Sequence, residues 1–124
     1  MYFLNSVDKN NEFIFITKNK YFVDKTRLIE KLNTVMDEHK HRFICVTRPR
    51  RFGKSINASM LAAYYTNNLD TKEIFDKLKV HECDSYKKHL NKHNVIYISF
   101  NTESNDFKSY EDYKNFFLNI LIDD

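Results

Sequence analysis

The stretch Arg42-Phe-Ile-Cys-Val-Thr-Arg-Pro-Arg-Arg-Phe-Gly-Lys-Ser55 decides the fold that we predict. It begins with an apolar run at residues 43–46, which is typical of a buried strand, and then becomes basic. Gly53, Lys54 and Ser55 open a segment with helical periodicity. A strand, a loop, Gly-Lys-Ser and a helix in this order indicate a phosphate-binding loop.

The chemistry of phosphate binding explains this order of parts. Backbone N–H groups of the loop and of the first helical turn point at the phosphates, and the helix N-terminus adds partial positive charge. Gly53 lets the backbone come close, Lys54 can reach the β- and γ-phosphates, and the Ser55 hydroxyl can ligate Mg²⁺. We therefore predict that ATP and Mg²⁺ bind here. The other predicted cofactor-binding residues are Arg50, Arg51 and Phe52.

The loop departs from the full pattern G-x-x-x-x-G-K-[ST], because Arg48 occupies the position of the first glycine. Arg48 must then adopt a conformation that glycine reaches more cheaply, or the loop must follow a different entry path. The alternative interpretation of the stretch is a basic turn that only joins a strand to a helix.

Two motifs resemble the AAA-ATPase-like domain proteins of bacteria. Residues 21–29, Tyr-Phe-Val-Asp-Lys-Thr-Arg-Leu-Ile, are similar to a Y-x-V-D-K-T-x-L-I segment of that family, and residues 47–55 contain its R-P-R-R-F-G-K-S loop. A later strand, residues 95–100, is also similar, so the resemblance runs from about Phe13 to Phe100. The resemblance implies a P-loop ATPase in which Arg48 is the usual residue, and it implies a role for Asp24-Lys25-Thr26 that the sequence does not specify.

The predicted fold class is α/β, a partial P-loop NTPase-type parallel sheet flanked by helices. Residues 43–47 and 95–100 are the predicted strands, and residues 13–16 are a third short strand or an extended lead-in. Because such a sheet has about five strands, we expect residues 1–124 to be the N-terminal portion of a single domain, truncated before its C-terminal region. The nucleotide is expected at the C-terminal edge of the sheet.

Helices are predicted from apolar spacing and capping signals. Asp24 is a candidate N-cap for the first, residues 70–73 resemble a capping box, and Ser109 or Asp106 could cap the last. Residues 118–124 superficially resemble a Walker B strand ending in an acid, but the helical spacing from Tyr113 onward favours a helix that contains Asp123.

Composition sets the remaining bounds. A chain of 124 residues with 42% hydrophobic residues is one domain with a packed core, and its net charge of +3 permits anionic ligands without indicating nucleic acid. Two cysteines favour a reducing compartment, and the sequence has neither a leader nor a membrane span, so we expect a cytoplasmic protein. The histidines that could suggest a metal site are predicted to be solvated loop residues; they are His81, His89 and His93.

The function that follows is nucleotide binding, with hydrolysis doubtful because no catalytic acid is secure. Arg48, Arg50 and Arg51 could contact phosphates or serve a neighbouring subunit, could grip a nucleic-acid backbone with Phe52, or could pair with acids of a missing C-terminal region. The alternative function is a non-catalytic nucleotide- or nucleic-acid-binding remnant. Tyr21 and Phe22 could either stack on an adenine or belong to the core, and the core role is favoured.

Overall fold

The computed structural model describes residues 4–38, 43–100 and 107–123. These residues form α-helices of one to four turns and one short 3₁₀ helix, which spans Lys79–Glu82. The α-helices in chain order are α1 (Val7–Thr17), α2 (Arg27–Glu38), α3 (Lys54–Tyr65), α4 (Lys72–Phe75), α5 (Tyr86–His89) and α6 (Tyr110–Asp123).

The predicted parallel sheet is wrong: the described residues are helical and contain no strand or sheet. Residues 43–47 have no regular structure, and Phe43 is 99% exposed. Residues 95–100 contribute only the isolated antiparallel bridge between Leu4 and Ile96. An apolar run suits a strand, but a strand forms only where a neighbour takes up its N–H and C=O groups over several residues. In the described chain, the backbone of Leu4 and Asn5 pairs only with the start of the 95–100 run, at Ile96 and Val95.

The prediction of a strand or lead-in at residues 13–16 is also wrong, because this segment lies inside α1. Phe13 is 1% exposed and stacks on Phe75 with ring centroids 5.5 Å apart, while Phe22 meets its edge at 6.1 Å. Burial of one aromatic side chain against distant parts of the chain thus overrides the β preference of the short Phe-Ile-Phe-Ile run.

The core is built around α3, against which α1 packs. Met60, Ala63 and Tyr64 are each at most 1% exposed. The Tyr64 hydroxyl donates a hydrogen bond to the Tyr86 carbonyl at 2.7 Å, so its polar atom is satisfied inside the core. Burial raises the pKa of Tyr64, which keeps the hydroxyl in its donating form.

Helix α4 confirms the helix predicted after residue 70. Asp70, the first residue of the predicted capping motif, accepts the backbone N–H of Lys72 at 3.0 Å, as a capping side chain does. Thr71, which directly precedes the helix, makes no side-chain cap bond, because its hydroxyl donates to the Ala63 carbonyl at 2.8 Å.

The prediction of solvated histidines is wrong for His89, which is 6% exposed. Its Nδ1 lies 3.0 Å from Nε2 of His93, and its Nε2 lies 3.1 Å from Oδ1 of Asp37. Burial lowers the pKa of His93, and the nearby His89 and Lys92 lower it further. Among the described residues, no group of three or more potential ligands could hold a metal ion.

Helix α6 confirms the last predicted helix and its cap. The Ser109 hydroxyl accepts the backbone N–H of Asp112 at 3.2 Å, whereas Asp106 lies outside the described residues. Asp123 is the last residue of α6, so it does not follow a strand as a Walker B acid would. None of the helices in the described ranges is long and apolar enough to cross a membrane.

Candidate nucleotide-binding site

The loop before α3 turns on two residues with left-handed backbone. Gly53, the N-cap of α3, has φ +79°, and Arg51 has φ +65°. Glycine reaches this region without cost, whereas arginine does so only under strain. The predicted loop-to-helix turn at Gly-Lys-Ser is therefore present, and its single glycine stands at a position that requires one.

Lys54 folds back across this loop. Its Nζ donates hydrogen bonds to the carbonyl oxygens of Arg48 at 2.6 Å and Pro49 at 2.9 Å. The residue at the place of the missing first glycine thus contributes a carbonyl oxygen to the site. An ammonium group has three donors, so Lys54 retains one for a further acceptor.

Lys25 approaches the same loop from the 19–25 segment. Its Nζ donates to the carbonyl oxygen of Phe52 at 3.2 Å, and it lies 3.3 Å from the place where a Cβ on Gly53 would be. Lys25 and Phe52 are 27 positions apart in the chain. Their hydrogen bond therefore brings the 21–29 segment and the loop together at the N-terminus of α3. The family resemblance implied a role for Asp24-Lys25-Thr26, but no local pattern indicated this contact.

The residues on either side of Lys25 are fixed to the 3₁₀ helix. Asp24 Oδ1 accepts the backbone N–H of Thr26 at 2.8 Å and its hydroxyl at 2.6 Å, and Asp24 Oδ2 accepts the Lys79 N–H at 2.7 Å. The Thr26 hydroxyl oxygen in turn accepts the N–H of Val80 at 3.1 Å. Burial would raise the pKa of Asp24, but the bonds from Thr26 and Lys79 outweigh it and lower the pKa.

The prediction that Asp24 is the N-cap of α2 is wrong, because α2 begins three residues later, at Arg27. The Asp24 carboxylate instead closes a turn onto Thr26 and reaches a second element. Thr26 is fully buried, so the Asp24–Thr26 pair forms a rigid base from which the exposed Lys25 side chain projects.

Two cavities lie on the loop, and they share Arg51, Gly53 and Ile56 in their walls. The smaller cavity has a volume of about 360 Å³. Its lining comprises the three shared residues and Arg50, Lys54 and Ser55. The structure thus brings all the predicted cofactor-binding residues except Phe52 around one concave surface.

The larger cavity has a volume of about 540 Å³ and lies between α1, the 19–25 segment, the loop and α3. Apolar side chains form much of its wall, and its charged residues are both cations, Lys25 and Arg51. Tyr21 and Phe52 also line it, and because Tyr21 is 83% exposed, the core role favoured for this residue is wrong. Phe22 lines it too and also packs against the core, which confirms the core role favoured for this residue.

The distribution of acids matters for chemistry at this site. No carboxylate of the described residues lines either cavity. Ser55, in the first turn of α3, brings a hydroxyl to the smaller cavity, and Arg50, Arg51 and Lys54 bring positive charge. The arrangement can bind an anion next to an apolar group, and it positions no described acid to activate water.

Comparison with known proteins supplies the family. No curated protein and no solved structure gives a significant match. A family model described as "Predicted AAA-ATPase" matches residues 10–123, which include the 21–29 segment, the loop and α6. The chain therefore belongs to the AAA-ATPase-like family.

Proposed function

We propose that this chain binds a nucleoside triphosphate, ATP in the first instance, together with Mg²⁺. The phosphates occupy the smaller cavity, on the loop that ends in Gly53-Lys54-Ser55, and the base and sugar occupy the larger one. The observation that carries the proposal is the boundary of Arg51, Gly53 and Ile56 that the two cavities share. A ligand with an anionic end and a flat apolar end fits this pair of cavities.

The electrostatics of the walls support this assignment. Arg50, Arg51 and Lys54 surround the smaller cavity, and the N-terminus of α3 adds its partial positive charge. A volume of about 540 Å³ lies within the usual range for small-molecule sites, and the apolar part of that wall suits an aromatic base.

The metal fits the site through Ser55. Mg²⁺ keeps several waters and is held by substrate phosphates with one or two protein oxygens, and the Ser55 hydroxyl is such an oxygen at the start of α3. Bound Mg²⁺ would neutralise phosphate charge. The proposal is therefore for binding, and it assigns no residue to hydrolysis.

A second candidate is single-stranded nucleic acid. Arg50 and Arg51 are exposed beside Phe52, which is 59% exposed, and basic side chains with an exposed aromatic suit a phosphate backbone and its bases. This mode uses several phosphate contacts, so it depends steeply on salt and loses little when one lysine is removed.

The test is calorimetry with Mg²⁺-ATP at two salt concentrations, on the wild type, Lys54→Ala and Lys87→Ala. Lys87 is an exposed lysine of α5 that lines neither cavity, and it controls for lost surface charge. We expect Lys54→Ala to weaken binding at least tenfold, since a charge-assisted bond is lost, and Lys87→Ala to leave it unchanged.

Two outcomes would contradict the proposal. One is a folded wild type that does not bind Mg²⁺-ATP. The other is tight binding of an oligonucleotide that falls steeply with salt and ignores Lys54→Ala, because this pattern belongs to the nucleic-acid alternative.

A further inference from the structure

We propose that Lys25 binds the phosphate group next to the sugar of the nucleotide, giving up its hydrogen bond to the Phe52 carbonyl for one to a phosphate oxygen. The inference rests on the proposed function, and it assigns a role to the Asp24-Lys25-Thr26 segment.

The location of the Lys25 ammonium carries the argument. It lies 3.2 Å from the carbonyl oxygen of Phe52 and beside the α-carbon of Gly53, in the wall of the larger cavity. Gly53 belongs to both cavities. Lys25 therefore stands near the boundary on the side of the base and sugar, where the first phosphate of a nucleotide that spans both cavities would pass.

The two lysines of the site divide the phosphates between them. Lys54 lines the smaller cavity and does not line the larger one, whereas Lys25 lines only the larger one. A nucleotide that extends from the larger cavity into the smaller would thus meet Lys25 first and Lys54 further along its phosphate chain.

The backbone beneath Lys25 is held while its side chain is free to move. Asp24 and Thr26 are bonded to the backbone of Lys79 and Val80, so the segment keeps its place against the 3₁₀ helix. The Lys25 side chain is exposed and has one hydrogen bond, to a neutral carbonyl. The Lys25 ammonium is charged in either bond, but a phosphate oxygen carries negative charge whereas the carbonyl is neutral, so the phosphate attracts Lys25 more strongly and displaces the carbonyl.

The experiment measures how adenosine, AMP, ADP and ATP displace a fluorescent ATP analogue at constant Mg²⁺. The proteins are the wild type, Lys25→Met, Lys25→Arg and Lys54→Ala. Methionine keeps an unbranched apolar stem without the charge, and arginine keeps the charge. Thermal unfolding of each variant without nucleotide checks folding, and Lys25→Gln replaces Lys25→Met if the latter does not fold.

We expect Lys25→Met to weaken AMP, ADP and ATP by a similar factor of about ten and to leave adenosine unchanged, because the lost bond is to the phosphate that all three share. Lys25→Arg should restore much of the loss. Lys54→Ala should weaken ADP and ATP far more than AMP, because this lysine reaches the outer phosphates.

Three results would overturn the inference. If Lys25→Met leaves AMP affinity unchanged while Lys54→Ala abolishes ATP binding, Lys25 has no phosphate role and the proposed function stands. If adenosine loses as much affinity as AMP, Lys25 supports the cavity wall and does not bind phosphate. If the folded wild type binds none of the four ligands, the proposed function fails and this inference fails with it.

Discussion

Asp24 and Lys79 are joined by a 2.7 Å hydrogen bond from the backbone N–H of Lys79 to Oδ2 of Asp24, although 55 positions separate them. The other carboxylate oxygen of Asp24 is bonded to Thr26, whose hydroxyl oxygen accepts the N–H of Val80. One acidic side chain therefore connects the segment before α2 to the 3₁₀ helix. The position of Lys25 beside the loop depends on this connection.

Replacing Asp24 by asparagine should lower the free energy of unfolding at pH 7 by about 1–2 kcal/mol, because hydrogen bonds to a charged acceptor become bonds to a neutral one. The pKa of Asp24 is lowered in the folded protein from its usual 3.8. The contribution of the Asp24 carboxylate to the free energy of unfolding is therefore complete above pH 3.8, and it is lost as the pH falls through the lower pKa of the folded protein.

Urea unfolding of the wild type and Asp24→Asn, from pH 7 down to pH 3, checks this prediction. Asp84→Asn, at an exposed position, is the control and should have little effect. The two stability curves should begin to approach each other below pH 3.8, where the contribution of the Asp24 charge starts to fall. A difference that stays constant over the whole range would show that the charge of Asp24 contributes nothing.

Gly53→Ala should destabilise the protein by about 1–2 kcal/mol, because alanine at φ +79° meets the left-handed penalty for residues with a Cβ. The space is tight but not blocked, since the nearest atom to the new Cβ, at 3.3 Å, is the end of the flexible Lys25 side chain. Gly53→Asn is the matched control, because asparagine tolerates this backbone better than alanine.

Thermal and urea unfolding should rank Gly53→Asn above Gly53→Ala in stability, although asparagine is the larger side chain. The reverse ranking would mean that space near Lys25, and not the backbone conformation, limits this position.

Two buried asparagines should respond in opposite ways to replacement by leucine. Asn10 is 1% exposed, and neither atom of its amide has a hydrogen-bond partner in the described part of the chain. Asn33 is fully buried, donates to Tyr64 at 3.3 Å and Ser85 at 3.0 Å, and accepts from Tyr65 at 2.6 Å. An unpaired buried amide destabilises the fold, whereas a paired one leaves orphaned partners when it is removed.

Asn10→Leu should therefore raise the free energy of unfolding by about 1 kcal/mol, and Asn33→Leu should lower it by about 1–3 kcal/mol. Denaturant unfolding of the two variants beside the wild type measures both changes. Equal destabilisation by the two replacements would contradict the difference in hydrogen bonding.

The helices α2, α3 and α6 could be predicted from the sequence because their signals are local. Apolar residues recur with the period of a helix, and helical hydrogen bonds close within the segment itself. The loop residues from Arg50 to Ser55 could be proposed as one site for the same reason, since they are adjacent in the chain and precede a helix start.

The predictions of two strands were wrong because a strand, unlike a helix, cannot close its backbone hydrogen bonds within its own segment. Residues 43–47 and 95–100 have the composition of buried strands, but a strand exists only where another segment pairs with it. Phe13, inside another apolar run, instead lies in a helix whose inner face the core buries.

The sequence by itself determined the family, the main helices and the start of α3 after Gly53, because each depends on neighbouring residues or on a contiguous motif. Only the tertiary structure decided that Lys25 contacts the loop, that Asp24 binds the 3₁₀ helix and that two cavities meet at Gly53. These features join residues that are far apart in the chain, and packing of the helices, not local spacing, brings them together.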